Sequence, residues 1–312
     1  MNISNLSSTD LNLLPVFQVL LEERSVTRAA GRLNLTQPAI SRNLTRLREL
    51  FNDPLFTRTP KGLAPTPRAE TLALQLQQSL QDLSQLISPA TFIPAAATQN
   101  FRLATTDYGT HVLLPPVLKR MRAEAPGVNL EIVPWQENLL QQLDQEGIDL
   151  ATCTVEDAPA AIHGRGVGSD RFICVVRDDH PLTQLGLSLE NYATYPHALI
   201  TMGGARKGAI DHLLEERGLS RRIALRVPHF VAALAMISQT DLILTVPYGL
   251  AVSFAEQYKL KMLPFPMEQK GFTYSIIWHE RYMKDPAHIW LRQLVFEELT
   301  TTLNELNIGY RV

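Results

Sequence analysis

The chain has 312 residues, 45% of them hydrophobic and 19% charged, with a net charge of −2 at pH 7. At about 150 residues per domain this is two domains or slightly more, with apolar material for more than one core. No apolar run approaches the roughly 18 residues of a membrane span. The polar start, MNISNLSSTD, lacks a basic leader, and two cysteines, Cys153 and Cys174, exclude a disulfide scaffold or a multi-cysteine metal site. The expectation is a cytoplasmic protein with no membrane partner, no metal and no cofactor.

Charge is unevenly spread. Residues 24–68 hold nine basic groups against Glu49 and Asp53, a balance of +7 that leaves −9 for the rest. A basic segment on an acidic body points to a polyanion-binding module joined to something that does not bind polyanions.

In chain order, Leu11, Leu14, Phe17, Leu20 and Leu21 approach helical spacing. Thr27 is a candidate cap for a short helix over 28–33, where Ala29 and Ala30 allow another helix to cross closely. Asn34-Leu35 makes a tight turn. Thr36 caps the next helix, and Pro38 falls in its first turn. Ile40, Leu44, Leu47 and Phe51 share one face of it. Pro38, Ser41, Arg42, Thr45 and Arg46 lie on the other, between about 100° and 240° from Ile40. Gln37 sits at the tip. A short helix, a tight turn and a helix with polar outward residues near its start read as a helix-turn-helix, whose second helix enters the major groove of duplex DNA. Residues 53–63 follow as a β-hairpin turning at Pro60-Lys61-Gly62.

This stretch resembles the winged helix-turn-helix of LysR-type transcriptional regulators. The likeness is carried by Ala29-Ala30, Leu33, Thr36-Gln37-Pro38-Ala39, Ser41-Arg42, Leu44, Leu47, Leu55-Phe56, Arg58, Gly62 and Thr66. It implies that Gln37, Pro38, Ser41, Arg42 and Thr45 face bases or the nearby backbone, and Thr36 and Arg46 are counted with them as DNA-binding candidates. Arg28, Arg32, Arg58 and Lys61 are expected on phosphates, which position without specifying sequence.

Thr66-Pro67 opens a further helix on which Leu72, Leu76, Leu80, Leu83 and Ile87 form a narrow stripe, closer to a coiled-coil seam than to a core helix. The alternative is packing on its own body. In LysR-type proteins this helix pairs subunits. Residues 89–99, with two prolines and no periodicity, read as a hinge.

Beyond residue 100 strands and helices alternate, which argues for a mostly parallel α/β fold. Strands are expected at 101–104, 129–133, 149–155, 172–177, 198–201, 222–227, 242–246 and 274–279. Helices are expected at 108–114, 116–124, 137–145, 205–217, 230–239, 248–257 and 287–306. Phe101-Arg102-Leu103-Ala104, Leu114-Pro115-Pro116 and Asp149-Leu150-Ala151 resemble the effector-binding domain of the same family. Val227-Pro228-His229-Phe230 and the Trp278-His279 tail are similar to its branch that senses flavonoids and small aromatic acids.

The fold class implied is α/β: an N-terminal all-α winged helix-turn-helix (1–65), a linker helix (66–88), a hinge (89–99), and a two-lobed domain like a periplasmic binding protein (100–312). Lobe one takes 100–163 and 268–312; lobe two takes 164–267. A cleft at strand ends and helix N-termini favours an anion. Thr105, Thr106, Thr154, Thr201, Gly203, Arg206, His229, Phe230, Val246 and Pro247 are its candidate residues. Asp107 would oppose an anion and is expected to cap the helix at Tyr108.

Dinucleotide, P-loop, zinc-protease and nucleophile-elbow motifs are absent, and Gly164 to Gly168 lack a strand-to-helix context. No catalytic residues are expected, and Cys153 and Cys174 read as buried, inert thiols. The function expected is sequence-specific regulation of transcription under a small-molecule effector, an aromatic or other organic acid. Its partners are duplex DNA, the effector, further copies as a homodimer or homotetramer, and RNA polymerase. The alternatives are a regulator with no ligand, or a solute-binding or enzymatic protein whose N-terminal helices only mediate assembly.

Overall fold

A computed structural model of the chain describes residues 9–60, 62–88, 91–136, 139–143, 147–154, 158–201, 209–269 and 271–308. Contacts divide it into two units, Met1–Pro89 and Ala90–Val312.

Three helices build the core of the first unit: α1 (Leu13–Glu23), α2 (Val26–Arg32) and α3 (Gln37–Phe51). Phe17, Leu20, Ile40 and Leu47 are fully buried among them, and Ala29 and Ala30 let α2 pack closely. The cap of α2 is Ser25, whose hydroxyl accepts the Arg28 N–H, not Thr27. Asn34 takes the left-handed conformation that the turn needs. Thr36 caps α3 through the Ala39 N–H. The wing is a two-stranded ribbon, β1 (Phe56–Thr59) against β2 (Gly62–Pro65), so this unit is not purely helical. Gly62 is needed there: its φ is +119°, and a Cβ would lie 2.5 Å from the Arg24 carbonyl oxygen, which also accepts the Leu63 N–H.

Helix α4 (Pro67–Ile87) divides along its length. Its first half packs on the unit's own core through Ala69, Leu72, Leu76 and Leu80. Its second half is uncovered, with Leu83, Leu86 and Ile87 exposed by 44%, 82% and 84%.

The second unit holds two five-stranded sheets. Strands β3 (Asn100–Thr105), β4 (Asn129–Pro134), β5 (Leu150–Cys153), β6 (Ile162–Asp170) and β12 (Phe272–His279) form the first, in the order β4-β3-β5-β12-β6. The second runs β11-β7-β10-β8-β9, from β7 (Phe172–Arg177), β8 (His197–Ile200), β9 (Ile223–Val227), β10 (Ile243–Pro247) and β11 (Leu260–Leu263). Strands β3, β4 and β5 run parallel, as do β8, β9 and β10, whereas β12 and β7 run antiparallel to their neighbours.

Strands β6 and β11 were not expected. β6 carries the glycines 164, 166 and 168, and its interior lies under the long helix α12 (Pro286–Ile308). A Cβ at Gly168 would come within 3.0 Å of Leu303, and Arg165 lies over the Phe296 ring. Gly168 therefore marks close helix-on-strand packing, whereas a Cβ at Gly164 or Gly166 would meet Ile277 or Thr273 of the neighbouring strand β12. The lobe boundary expected at 163/164 falls inside this strand, and the chain crosses between sheets at Asp170-Arg171 instead. Much of the expected hinge is docked as well: Phe92 stacks near Trp290 at 5.2 Å between ring centres, and Ala97 is buried.

Among helices of the second unit, α5 (Leu114–Glu124) is preceded by a π-helical turn, Gly109–Leu113. Short helices α6 (Leu139–Gln142), α7 (Leu182–Leu185), α8 (Leu189–Thr194) and α9 (Ala209–Glu215) precede α10 (Phe230–Ile237) and α11 (Tyr248–Phe254). Burial pushes the Cys153 and Cys174 thiols up to about 12. No helix among the described residues is long and apolar enough to cross a membrane.

His197 opens β8 fully buried. Its Nε2 meets the Tyr192 carbonyl oxygen at 2.6 Å, and its Nδ1 has no partner among the described residues. Burial first, then the nearby Arg221, brings its pKa down to about 4. Between pH 6.5 and 4 the unfolded chain binds a proton that the native imidazole refuses, so stability is lost as pH falls through this window. Urea unfolding should show about 2 kcal/mol lost between pH 7 and 5 from this group, at ~1.4 kcal/mol per pH unit. His197→Gln should flatten the dependence by that amount. An identical pH slope in the variant contradicts the assignment.

Candidate nucleic-acid interface and effector cleft

Helix α3 buries Ile40, Leu44 and Leu47 and leaves Gln37, Pro38, Ser41, Arg42, Thr45 and Arg46 exposed. Thr36 is also exposed, with its hydroxyl committed to the cap. Thr45 donates its hydroxyl to the Ser41 carbonyl oxygen at 3.2 Å, which keeps it close to the helix surface.

The arginines of this unit separate into two groups. Arg28 pairs with Glu23, and Arg32 pairs with both Glu22 and Glu23, at 2.5 and 3.1 Å. Gln18 and Arg32 hold the Glu22 carboxyl below its usual range. Two carboxylates beside two guanidinium groups offset the positive charge that was expected to meet phosphates at Arg28 and Arg32. Glu22 and Glu23 lie just outside the basic window counted in the sequence. Arg46 pairs with Asp10 at 2.8 Å. Arg48 holds the wing, donating to the Pro54 and Phe56 carbonyl oxygens. The side chains of Arg42 and Arg58 make no hydrogen bond or ion pair among the described residues. Lys61 lies outside the described residues.

The expected effector residues also divide. Thr106, Thr154, Thr201 and His229 keep solvent contact, while Thr105, Phe230, Val246 and Pro247 are buried. Phe230 and Val246 belong to the main apolar core, because they face inward where the strand and helix ends meet. Thr105 meets the Thr152 hydroxyl at 2.6 Å, and any side chain at Gly109 would collide with it. Gly203 and Arg206 lie outside the described residues. A groove of about 470 Å³, lined by Phe92, Arg120, Ile289 and Trp290 among others, shares no residue with the expected set.

Behind the strand ends lies a buried polar cluster. Tyr274 approaches Thr152 at 3.5 Å and packs edge-on against Tyr108. Tyr108 donates its hydroxyl to Asp170 Oδ2 at 2.7 Å, and burial pushes the Tyr108 pKa far up. The same Asp170 oxygen accepts the Gly249 N–H at 3.1 Å, and Asp170 Oδ1 accepts the Arg171 N–H at 2.7 Å. One buried carboxylate thus satisfies donors from both lobes at the point where the chain crosses between them. Asp107 does not cap the helix at Tyr108. Its Oδ2 accepts the Val231 N–H of α10, at 3.1 Å.

The profile of bacterial regulatory helix-turn-helix proteins of the lysR family matches residues 11–70, and that of the LysR substrate binding domain matches residues 95–300. The chain belongs to the LysR family. It is 37% identical to the HTH-type transcriptional activator NagR of a Ralstonia species, over 94% of this chain and 98% of that one. Identity to the HTH-type transcriptional activator NahR of Pseudomonas putida is 36%, over 95% and 99%. The regulatory domain of MexT, a transcriptional activator in Pseudomonas aeruginosa, superposes with a TM-score of 0.59 at 30% identity, over 65% of this chain and 99% of that one.

In this LysR-type chain the roles of Asp107, Asp170 and Glu22-Glu23 escaped the sequence reading, since each is defined by a partner reached only in three dimensions. Removing Asp170 by Asp170→Ala strands the Tyr108 hydroxyl and the Gly249 N–H, at about 1–3 kcal/mol per buried group. Tyr108→Phe removes one donor and should be milder. Thermal unfolding should therefore rank wild type above Tyr108→Phe above Asp170→Ala. Equal transitions for the two variants would show that the carboxylate does not join the lobes.

Proposed function

We propose that this LysR-type regulator reads duplex DNA through Gln37, Ser41, Arg42 and Thr45 on α3. Arg58 and Lys61 rest on flanking phosphates, and Arg46 comes to the backbone by exchanging Asp10 for phosphate. The observation that carries this reading is Arg42, exposed near the start of α3 and committed to nothing among the described residues. A free guanidinium at that position suits a bidentate base contact. Arg28 and Arg32 instead set the angle between α1 and α2.

The second unit senses a small organic acid between its lobes. Support comes from the strand-end hydroxyls of Thr106, Thr154 and Thr201, the exposed His229, and the sequence Gly203 to Arg206 that follows Thr201 in the chain, since an arginine fork suits a carboxylate. Copies of the chain pair through the second half of α4, whose leucines are uncovered in one chain.

Duplexes selected from a random pool by the wild-type protein supply the specific target. On these, Arg42→Ala should lose about 1–3 kcal/mol of binding, with little loss on random duplex. Equal losses on both would make Arg42 a phosphate contact. For assembly, a Leu83→Glu/Ile87→Glu double variant places charge in the uncovered stripe while sparing the buried Leu76. Sedimentation should show the subunits separating at α4. An unchanged mass would place the pairing elsewhere.

A further inference from the structure

Asp107 stands just beyond the C-terminal end of β3, in the first lobe. The local capping place there is taken by Thr106, whose hydroxyl accepts the Gly109 N–H at 3.4 Å. The Asp107 carboxylate turns outward, and its Oδ2 accepts the Val231 N–H at 3.1 Å, 124 residues along the chain. Val231 is the second residue of α10, in the second lobe. The N-cap residue of α10, His229, offers no side-chain hydrogen bond of its own. A helix start carries unpaired N–H groups and partial positive charge, and an anion there is stabilised. In this chain the anion is a carboxylate from the opposite lobe. The same stretch is tied to the second lobe twice more: Tyr108 donates to Asp170 Oδ2, the oxygen that also accepts the Gly249 N–H of α11, and the His111 ring lies 5.7 Å from that of Phe254. Among these contacts, Asp107 on Val231 is the one that an incoming anion could replace with like chemistry.

We propose that Asp107 is a built-in competitor for the effector's anionic group. Its carboxylate holds the α10 N-terminus in the ligand-free chain. An organic acid entering between the lobes takes that N–H and releases Asp107. The inference rests on the reading of this domain as an organic-acid sensor, and adds the contact that the ligand must displace. Binding then exchanges a bridge made by the protein alone for one made through the ligand. A neutral molecule of the same shape has nothing to offer the helix end and leaves Asp107 in place.

The test uses the full chain as wild type, Asp107→Ala and Asp107→Asn, with benzoate as a flat monocarboxylate probe and benzamide as its neutral counterpart. Hydrogen exchange without ligand should be roughly fivefold faster over the first turn of α10 in Asp107→Ala, as for the loss of a helix cap. It should stay near the wild-type rate in Asp107→Asn, whose side-chain oxygen keeps the hydrogen bond, and β10 should be unchanged in all three. Calorimetry should show benzoate binding roughly threefold or more tighter to Asp107→Ala than to wild type, because the competing charge is gone. Benzamide should not separate the variants. Unchanged exchange in Asp107→Ala overturns the proposal, as does benzoate affinity that is equal or weaker in that variant. Should benzoate bind none of the three proteins, the competitor role fails for its stated probe. A thermal-shift screen of wild type against a wider panel of carboxylates then decides the sensor reading separately.

Discussion

Two carboxylates at the end of α1 decide which cations of the N-terminal unit remain for a partner. Glu22 and Glu23 occupy Arg28 and Arg32, and so tie α1 to α2. Exposed pairs of this kind are individually worth little. Their larger consequence is electrostatic, since they neutralise the positive charge over α2 and leave it on α3 and the wing. There the exposed side chains of Arg42 and Arg58 carry no partner among the described residues. The apolar stripe of α3 enforces the rest: with Ile40, Leu44 and Leu47 buried, Ser41, Arg42 and Thr45 must face outward.

The second unit uses its carboxylates differently. Asp170 is buried where β6 passes into β7, and accepts three N–H or O–H donors. Such a group is held by the surrounding donors, and in turn fixes Tyr108 of one lobe against the start of α11 in the other. Asp107 is partly exposed, and among the described residues its carboxylate accepts one donor, the Val231 N–H. One acid thus serves as a permanent joint between the lobes, and the other sits where exchange with a ligand is possible.

Much of this was legible locally. Thr36 as a cap, Asn34 in the left-handed turn, the amphipathic α3 and the Pro67 helix start all follow from short-range chemistry, and each stands in the structure as read. The cleft was less legible. Thr105 ends β3 and Val246 lies one residue from the end of β10, yet both face inward, because which side of a strand end is open depends on what packs over it. Asp107 was assigned to its own helix because its true partner lies in the second lobe. The glycine-rich β6 shows no alternating apolar pattern, and at Gly168 α12 crosses it closely enough to favour glycine. The leucine stripe of α4 was read as one seam, but it serves the body in its first half and is uncovered in its second.

The most direct test of the account is the salt dependence of duplex binding, followed by fluorescence anisotropy with labelled DNA and the full-length chain. Log affinity should fall linearly with log salt concentration, with a slope of about −0.9 for each phosphate neutralised. Arg58→Ala should make that slope shallower by about one contact, whereas Arg28→Ala, whose charge is already met by Glu23, should leave it unchanged. Binding that is absent or insensitive to salt, or a slope that Arg28→Ala reduces as much as Arg58→Ala, would contradict the account.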